Sequence, residues 1–270
     1  MNGTATFLAL RDQWLGHSAA AAPALELSWP PNQPFNWARD YFDHIAAGNA
    51  APALRMVDDS GNDQVMSFAA LSLRSNQVAN FLESQGVARG DRVLIMLGNA
   101  IPLCETMLAT IKLGAVMIPA TTLMQRSDLE DRLDRGQVKA VVTDAAFANR
   151  FEGLSGAPLR IATNGVAQGW LAYENSNAAA ATLPSAAPTP AGDLLLLYFT
   201  SGTTARPKLV AHTHTSYPVG HLTTLHWLGL RPGDVHLNLS SPGWAKHAWS
   251  SFLGHPDLVW VKSDHFVLKA

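Results

Sequence analysis

The sequence predicts an α/β fold, mainly parallel sheets with helices on both faces. Three observations lead there. Short apolar runs recur at Arg92–Leu97, Ala115–Ile118, Lys139–Thr143 and Leu194–Phe199, each bounded by turn residues and of strand length. Segments of helical periodicity precede and separate them, Leu71 to Leu82 before the first run and Ile101–Lys112 and Leu129–Gly136 between successive ones. Strands separated by helices of that length need crossover connections, and crossovers give parallel pairing with both faces covered.

Composition sets the bounds. A chain of 270 residues with 47% hydrophobic content can bury a sizeable core as one large domain or two small ones. A net charge of −2, from 19 basic and 21 acidic residues, leaves no electrostatic footprint for a nucleic-acid binder or a membrane-surface protein. Cys104 is the single cysteine, so no intrachain disulfide framework exists and a reducing, cytoplasmic compartment is expected. Arg11 and Asp12 interrupt the N-terminal apolar pattern, so no signal peptide is read, and no uncharged run is long enough to span a membrane.

In chain order, residues 1–34 read as a loosely ordered lead-in that ends in Trp29, Pro30, Pro31 and Pro34. Residues 35–174 form a first α/β subdomain. It opens on a short amphipathic helix carrying Tyr41, Phe42, Ile45 and Ala46 and stopping at Gly48. Ala53–Val57 and Gln64–Phe68 flank a turn and read as a hairpin. The helix from Leu71 runs up to Gly86, and the turn Arg89-Gly90-Asp91 leads into the strand at Arg92. Gly114 follows the helix Ile101–Lys112, and Pro119 closes the strand Ala115–Ile118. After Leu129–Gly136 come two short strands, Lys139–Thr143 and Leu159–Ala162.

Residues 175–192 are rich in Ala, Pro, Ser and Asn and read as a linker between two subdomains. The second begins at 193 and extends to 253. It holds a helix from Tyr217 to Leu228 and a strand at Val235–Ser240, which follows the turn Arg231-Pro232-Gly233-Asp234. Residues 254–270 match no pattern.

The stretch Leu194–Lys208, LLLLYFTSGTTARPK, is the hardest to explain by packing alone. A buried strand is followed by a polar loop with four hydroxyls, on Thr200, Ser201, Thr203 and Thr204, around Gly202. Glycine lets the backbone turn sharply and approach a ligand, and amide N–H groups with hydroxyls at a strand end make a donor surface suited to phosphate oxygens. Lys208 adds a positive charge, while Pro207 keeps Arg206 extended. Lys208 follows a proline and precedes Leu209, so this is not a Walker A loop. The alternative is an ordinary polar turn after a core strand.

This string resembles the nucleotide-phosphate signature of the adenylate-forming (AMP-binding) superfamily, in its acyl-CoA synthetase branch. The resemblance implies an enzyme that joins a carboxylic acid to the α-phosphate of ATP with loss of pyrophosphate, then passes the acyl group to coenzyme A. It implies that Thr200, Ser201, Gly202, Thr203, Thr204 and Lys208 hold the β and γ phosphates. Ala205 departs from the family's Gly or Ser, and a Cβ forced to positive φ there would cost ~1–2 kcal/mol.

The second informative stretch is Ser241-Pro242-Gly243-Trp244-Ala245-Lys246-His247-Ala248-Trp249. Pro242 and Gly243 turn the chain at a strand end, where α/β folds put ligands. The stretch resembles the Gly-Trp segment of acetyl-CoA and medium-chain acyl-CoA synthetases, which implies that Trp244 and His247 border the acid-binding pocket. Against this stands the reading of Trp244 and Trp249 as core aromatics and His247 as a satisfied histidine. The pair His212-x-His214 would lie on one face of a strand as some metal ligands do, but no third ligand stands at workable spacing, so no metal site is assigned.

The resemblance covers residues 37 to 253. In the family the adenine pocket, the acidic Mg²⁺ ligand, the ribose-gripping aspartate and the catalytic lysine all lie later in the chain. The expectation is therefore an N-terminal portion of an acyl-CoA synthetase that binds ATP with Mg²⁺ but is not competent alone. A nucleotide-phosphate-binding module without turnover, or an inactive remnant, is the alternative.

Overall fold

The computed structural model describes residues 2–16, 28–57, 61–155, 159–185, 187–200, 207–231, 233–237, 240–244 and 259–263. Its centre is a seven-stranded sheet of order β7-β6-β5-β3-β4-β8-β9. The strands are β3 (Arg92–Met96), β4 (Val116–Pro119), β5 (Val138–Asp144), β6 (Leu159–Thr163), β7 (Leu171–Ala172), β8 (Leu194–Thr200) and β9 (Lys208–Thr213). Every pairing is parallel except β8 with β9, which closes one edge antiparallel. The expected α/β class and parallel sheet stand.

Side-chain alternation along the strands divides the core in two. Val93, Ile95, Met117, Ala140 and Val142 face a layer built from α3 (Phe68–Ser84) and α4 (Ile101–Lys112). Leu94, Met96, Val116, Ile118 and Val141 face the other way, onto Leu129 and Leu133 of α5 (Arg126–Arg135) and onto Phe151. Burial on both sides explains why these strands read as unbroken apolar runs.

The helices follow from local chemistry. Ser67 caps α3 by accepting from the Ala70 N–H at 3.1 Å, and Leu71, Val78, Ala79 and Leu82 form its buried stripe. Gly86, at φ +86°, takes the left-handed conformation that ends the run. α5 begins with a capping box in which Gln125 and Asp128 satisfy each other's backbone N–H. α4 has a proline in its first turn and is buried along most of its length, including Glu105 and Lys112. Glu105 accepts from the Tyr173 hydroxyl at 2.7 Å, and Lys112 pairs with Asp43 at 2.6 Å.

A smaller sheet of order β10-β11-β1-β2 combines β1 (Pro52–Val57), β2 (Asp63–Ser67), β10 (Val235–Leu237) and β11 (Val259–Ser263). β1 and β2 pair antiparallel, as the hairpin expectation requires. β11 lies in the stretch 254–270 that matched no pattern, and it pairs parallel with both β1 and β10. Its partners are far away in sequence, which is why nothing local marks it.

One other expectation is corrected. The lead-in 1–34 is not loose throughout: α1 (Gly3–Leu15) is capped by Asn2, and its Phe7 is buried against Phe35 and Tyr41 at ring distances of 5.3 and 4.6 Å. Residues 175–192, expected as a linker between two subdomains, lead into β8. That strand pairs with β4 in the seven-stranded sheet. The segment is tied along α3, where Gln77 donates to the Asn177 and Ala179 carbonyls, Asn76 to Ala181 and Asn80 to Ala180 and Thr182. A chain poor in large apolar side chains thus meets its backbone demand through the amides of a neighbouring helix.

Candidate functional site

β8 runs through the core beside β4 and emerges at Thr200. β9 returns antiparallel to it, and Thr200 faces Lys208 across the pair. Residues 201–207 therefore connect two paired strands, and of these Ser201, Gly202, Thr203, Thr204, Ala205 and Arg206 lie outside the described residues. Thr200 is half-buried and its hydroxyl donates to the Lys208 carbonyl at a long 3.4 Å. Lys208 is exposed, and among the described residues no ion pair engages its ammonium. The hairpin base thus presents a hydroxyl and a cation at one end of the sheet.

The Ser241 segment comes to the same end. Ser241-Pro242-Gly243-Trp244 is a turn in which the Trp244 N–H donates to the Ser241 carbonyl at 3.0 Å. Its Gly243 lies against the backbone of Ala120 and Thr121, just past β4, and the Ser241 hydroxyl stands 3.4 Å from that of Thr121. In the parallel pair, Met117 of β4 is level with Leu196 of β8, so Thr121 and Thr200, each four residues on, share the carboxyl end of the sheet. Ligands of α/β sheets bind at that end. Trp244 is 55% exposed and so is not a core aromatic, which removes one of the two readings for this residue. His247 and Trp249 lie outside the described residues.

Sequence reasoning missed the side chains beneath the hairpin. Arg132 and Arg135 of α5 place their guanidinium carbons 4.6 and 5.4 Å from the centre of the Phe199 ring. Arg135 also donates to the Pro207 carbonyl at 2.9 Å. Asp131 accepts from Arg135 at 3.0 Å and, more weakly, from Arg132 at 3.4 Å. Arg132 is only 7% exposed, and burial lowers its pKa. The available signal was the spacing of three residues, which puts two cations on one helix face.

The two histidines after Lys208 sit in different surroundings. His212 sits in β9 against Tyr217, at 4.6 Å between rings, and burial lowers its pKa. His214, beyond the strand, is fully buried. Burial pushes its pKa down to about 4, against a smaller opposing effect of Asp193. Among the described residues no group of three His, Cys, Asp or Glu side chains could hold a metal ion.

Residues 42–254 match the family model described as AMP-binding enzyme. The chain is 36% identical over 223 residues to 4-hydroxybutyrate--CoA ligase 1 of Metallosphaera sedula, a match covering 81% of this chain and 39% of that protein. It is 32% identical over 230 residues to the mitochondrial acyl-coenzyme A synthetase ACSM3 of Mus musculus, covering 80% and 40%. The chain thus spans about 40% of the length of these curated relatives. Among solved structures, an acyl-CoA synthetase of Brucella canis superposes with a TM-score of 0.79 at 23% identity, over 97% of this chain and 46% of that one. The anthranilate CoA ligase AuaEII, in complex with anthranoyl-AMP, gives 0.74 at 21% identity, over 88% and 45%. These two likenesses show the fold. The family model reaches from Phe42 to Gly254 and so across every element that carries Thr200, Lys208 and Trp244, and the chain belongs to the AMP-binding enzyme family.

Proposed function

We propose that this chain carries the nucleotide-phosphate site of an acyl-CoA synthetase. The reaction is carboxylate plus ATP to acyl-adenylate and pyrophosphate, then transfer of the acyl group to coenzyme A. Thr200, Ser201, Gly202, Thr203, Thr204 and Lys208 hold the β and γ phosphates. Trp244 and His247 border the acid, and Mg²⁺ enters with the nucleotide.

One observation carries this reading: Thr200 and Lys208 are cross-strand neighbours at the carboxyl end of a parallel sheet. The donor set fits a polyphosphate. Lys208 offers an ammonium that no carboxylate of the described residues neutralises, and the Thr200 hydroxyl has only a long bond to give up. An acidic pairing there would have spoken against an anionic ligand.

The remaining roles follow from position. A half-exposed Trp244 beside the same strand ends offers an apolar wall for an acyl group. The metal supplies charge neutralisation at the phosphates. The lone Cys104 is buried in α4, and no helix of the described residues is long and apolar enough to cross a membrane; a cytoplasmic placement belongs to the same proposal.

Calorimetric titration of MgATP into the wild-type chain and into Lys208→Ala tests the reading. Saturable binding is expected, weakened about tenfold or more in the variant, which loses a charge-assisted contact. Equal binding by both proteins would remove the hairpin from the site. Hydroxylamine trapping with short and medium-chain acids then asks whether this chain makes acyl-adenylate.

A further inference from the structure

The hairpin that ends in Thr200 and Lys208 is an edge. Among the described residues β9 has β8 as its single strand neighbour, and Leu209 and Val210 are exposed at 40% and 38%. An exposed edge strand such as β9 opens more readily than the covered strands beside it, because fewer buried contacts hold it. A polyphosphate site needs the opposite, donors held in place before the ligand arrives.

α5 supplies the restraint. Phe199 directly precedes Thr200, and alternation sends the two side chains to opposite faces of β8. Thr200 pairs with Lys208, while Phe199 packs toward the layer of α5, under the guanidinium groups of Arg132 and Arg135. Cation–π contact with a ring so close holds that face down. Across the hairpin, Arg135 takes the Pro207 carbonyl, and that carbonyl belongs to the peptide unit that delivers the Lys208 N–H into β9. The two ends of the connection are therefore fastened to one helix. Asp131 in turn orients both arginines, so the pair is pre-set by α5 itself.

Burial makes this more than surface decoration. Arg132 is 7% exposed, and its Nε has no hydrogen-bond partner among the described residues, a costly placement for a cation unless its position serves something. We propose that Arg132 and Arg135 are positioning residues that latch the base of the β8–β9 hairpin through Phe199 and the Pro207 carbonyl, and so fix where Thr200 and Lys208 stand. The proposal rests on the reading of that hairpin as the phosphate site. Neither arginine need touch the nucleotide.

Hydrogen exchange and MgATP calorimetry on the full chain test it, with Arg135→Ala, Arg135→Lys and Arg132→Gln as variants. In Arg135→Ala the amides of Phe199, Thr200, Lys208 and Leu209 are expected to exchange ~10-fold faster or more without ligand, while those of β3 and β4 keep their protection. MgATP affinity should fall several-fold in parallel. Arg135→Lys, which retains one donor for the Pro207 carbonyl, should recover most of both effects, a rescue that general destabilisation would not produce. Arg132→Gln, tested through the Phe199 and Thr200 amides, keeps the question decidable should Arg135→Ala lose its fold. Unchanged exchange at the hairpin in both Arg135→Ala and Arg132→Gln would overturn the latch. If the wild-type chain binds no MgATP, the phosphate reading falls separately, and the ligand-free exchange still decides whether α5 holds the hairpin.

Discussion

Gly243 lies so close to Thr121 that a Cβ on it would collide with the Thr121 nitrogen and stand 2.5 Å from the Thr121 Cα. The contact is backbone on backbone. Gly243 is not among the glycines with positive φ, so the requirement here is space rather than conformational freedom. It seats the turn that carries Trp244 on the end of β4, next to the strand that delivers Thr200.

Gly243→Ala should therefore unseat that turn. The new methyl meets main chain, which cannot swing aside as a side chain would, so the Ser241–Trp244 segment must lift. Hydrogen exchange at the Trp244 amide, now bonded to the Ser241 carbonyl, is the direct readout, and an acceleration of about tenfold or more is expected. Global stability should change little, because the segment caps a strand end rather than filling the core. Retained protection at Trp244 would show that the contact is not tight in solution.

Thr200→Val removes a hydroxyl while keeping the shape of the side chain. The hydroxyl's bond to the Lys208 carbonyl is long, so the folded chain loses little, and the thermal midpoint should stay within a few degrees. MgATP affinity should nevertheless drop about fivefold or more if that hydroxyl donates to a phosphate oxygen. A variant with wild-type affinity would shift the phosphate contacts to the other hydroxyls of the connection.

Much of this arrangement is legible in the sequence, and the parts that are not share a cause. Leu194–Phe199 and Arg92–Leu97 could be read as buried strands because both of their faces are covered, which leaves no polar residue to interrupt the run. Ile101–Lys112 could be read as a helix to the residue, since Pro102 and Gly114 mark its two ends. By contrast, α1 owes its order to Phe7 meeting Phe35 and Tyr41, a contact across about thirty residues that no local pattern announces. The register of β11 against β1 is longer-range still. Arg132 and Arg135 look like ordinary surface charges of an amphipathic helix until β8 is placed over them. The stretch Leu194–Lys208 stands out because its residue order exceeds what packing of a strand and a turn requires, and the phosphate role proposed for it draws on that order rather than on the packing.

Asp43→Ala should be among the most damaging single changes outside the hairpin. Lys112 has a fully buried side chain and holds Asp43 at 2.6 Å, Asn76 at 2.7 Å and the Ser72 carbonyl at 3.2 Å. Burial already lowers its pKa. Removing the carboxylate leaves an uncompensated cation beneath the α3–α4 layer, with an expected loss of about 3 kcal/mol in urea unfolding. The double variant Asp43→Ala/Lys112→Met should regain a large part of it, because no charge then remains to be solvated. If the double variant is as unstable as the single one, packing around Lys112 rather than its charge sets the cost.

Acid should weaken the fold through His214 in particular. Its ring is fully buried with neither nitrogen hydrogen-bonded among the described residues, and its pKa lies near 4 rather than the usual 6.5. Above about pH 6.5 the imidazole is neutral in folded and unfolded chains alike, so it makes no pH-dependent difference. As the pH falls from 6.5 toward 4 the unfolded chain takes up the proton and the folded chain does not, so stability declines across that window and then levels off. The shift corresponds to roughly 3 kcal/mol, with the opposing pull of Asp193 toward the cation already included. His214→Asn removes the titration while keeping a polar group. Its urea-unfolding free energy should start lower than wild type at pH 7.5, since a buried amide replaces a packed ring, but should fall less between pH 7 and 4.5. Equal slopes in the two proteins would place the acid sensitivity on carboxylates held low in the fold, such as Asp63 beside Arg55, and not on Glu105, whose burial raises its pKa and so favours the folded chain as the pH falls.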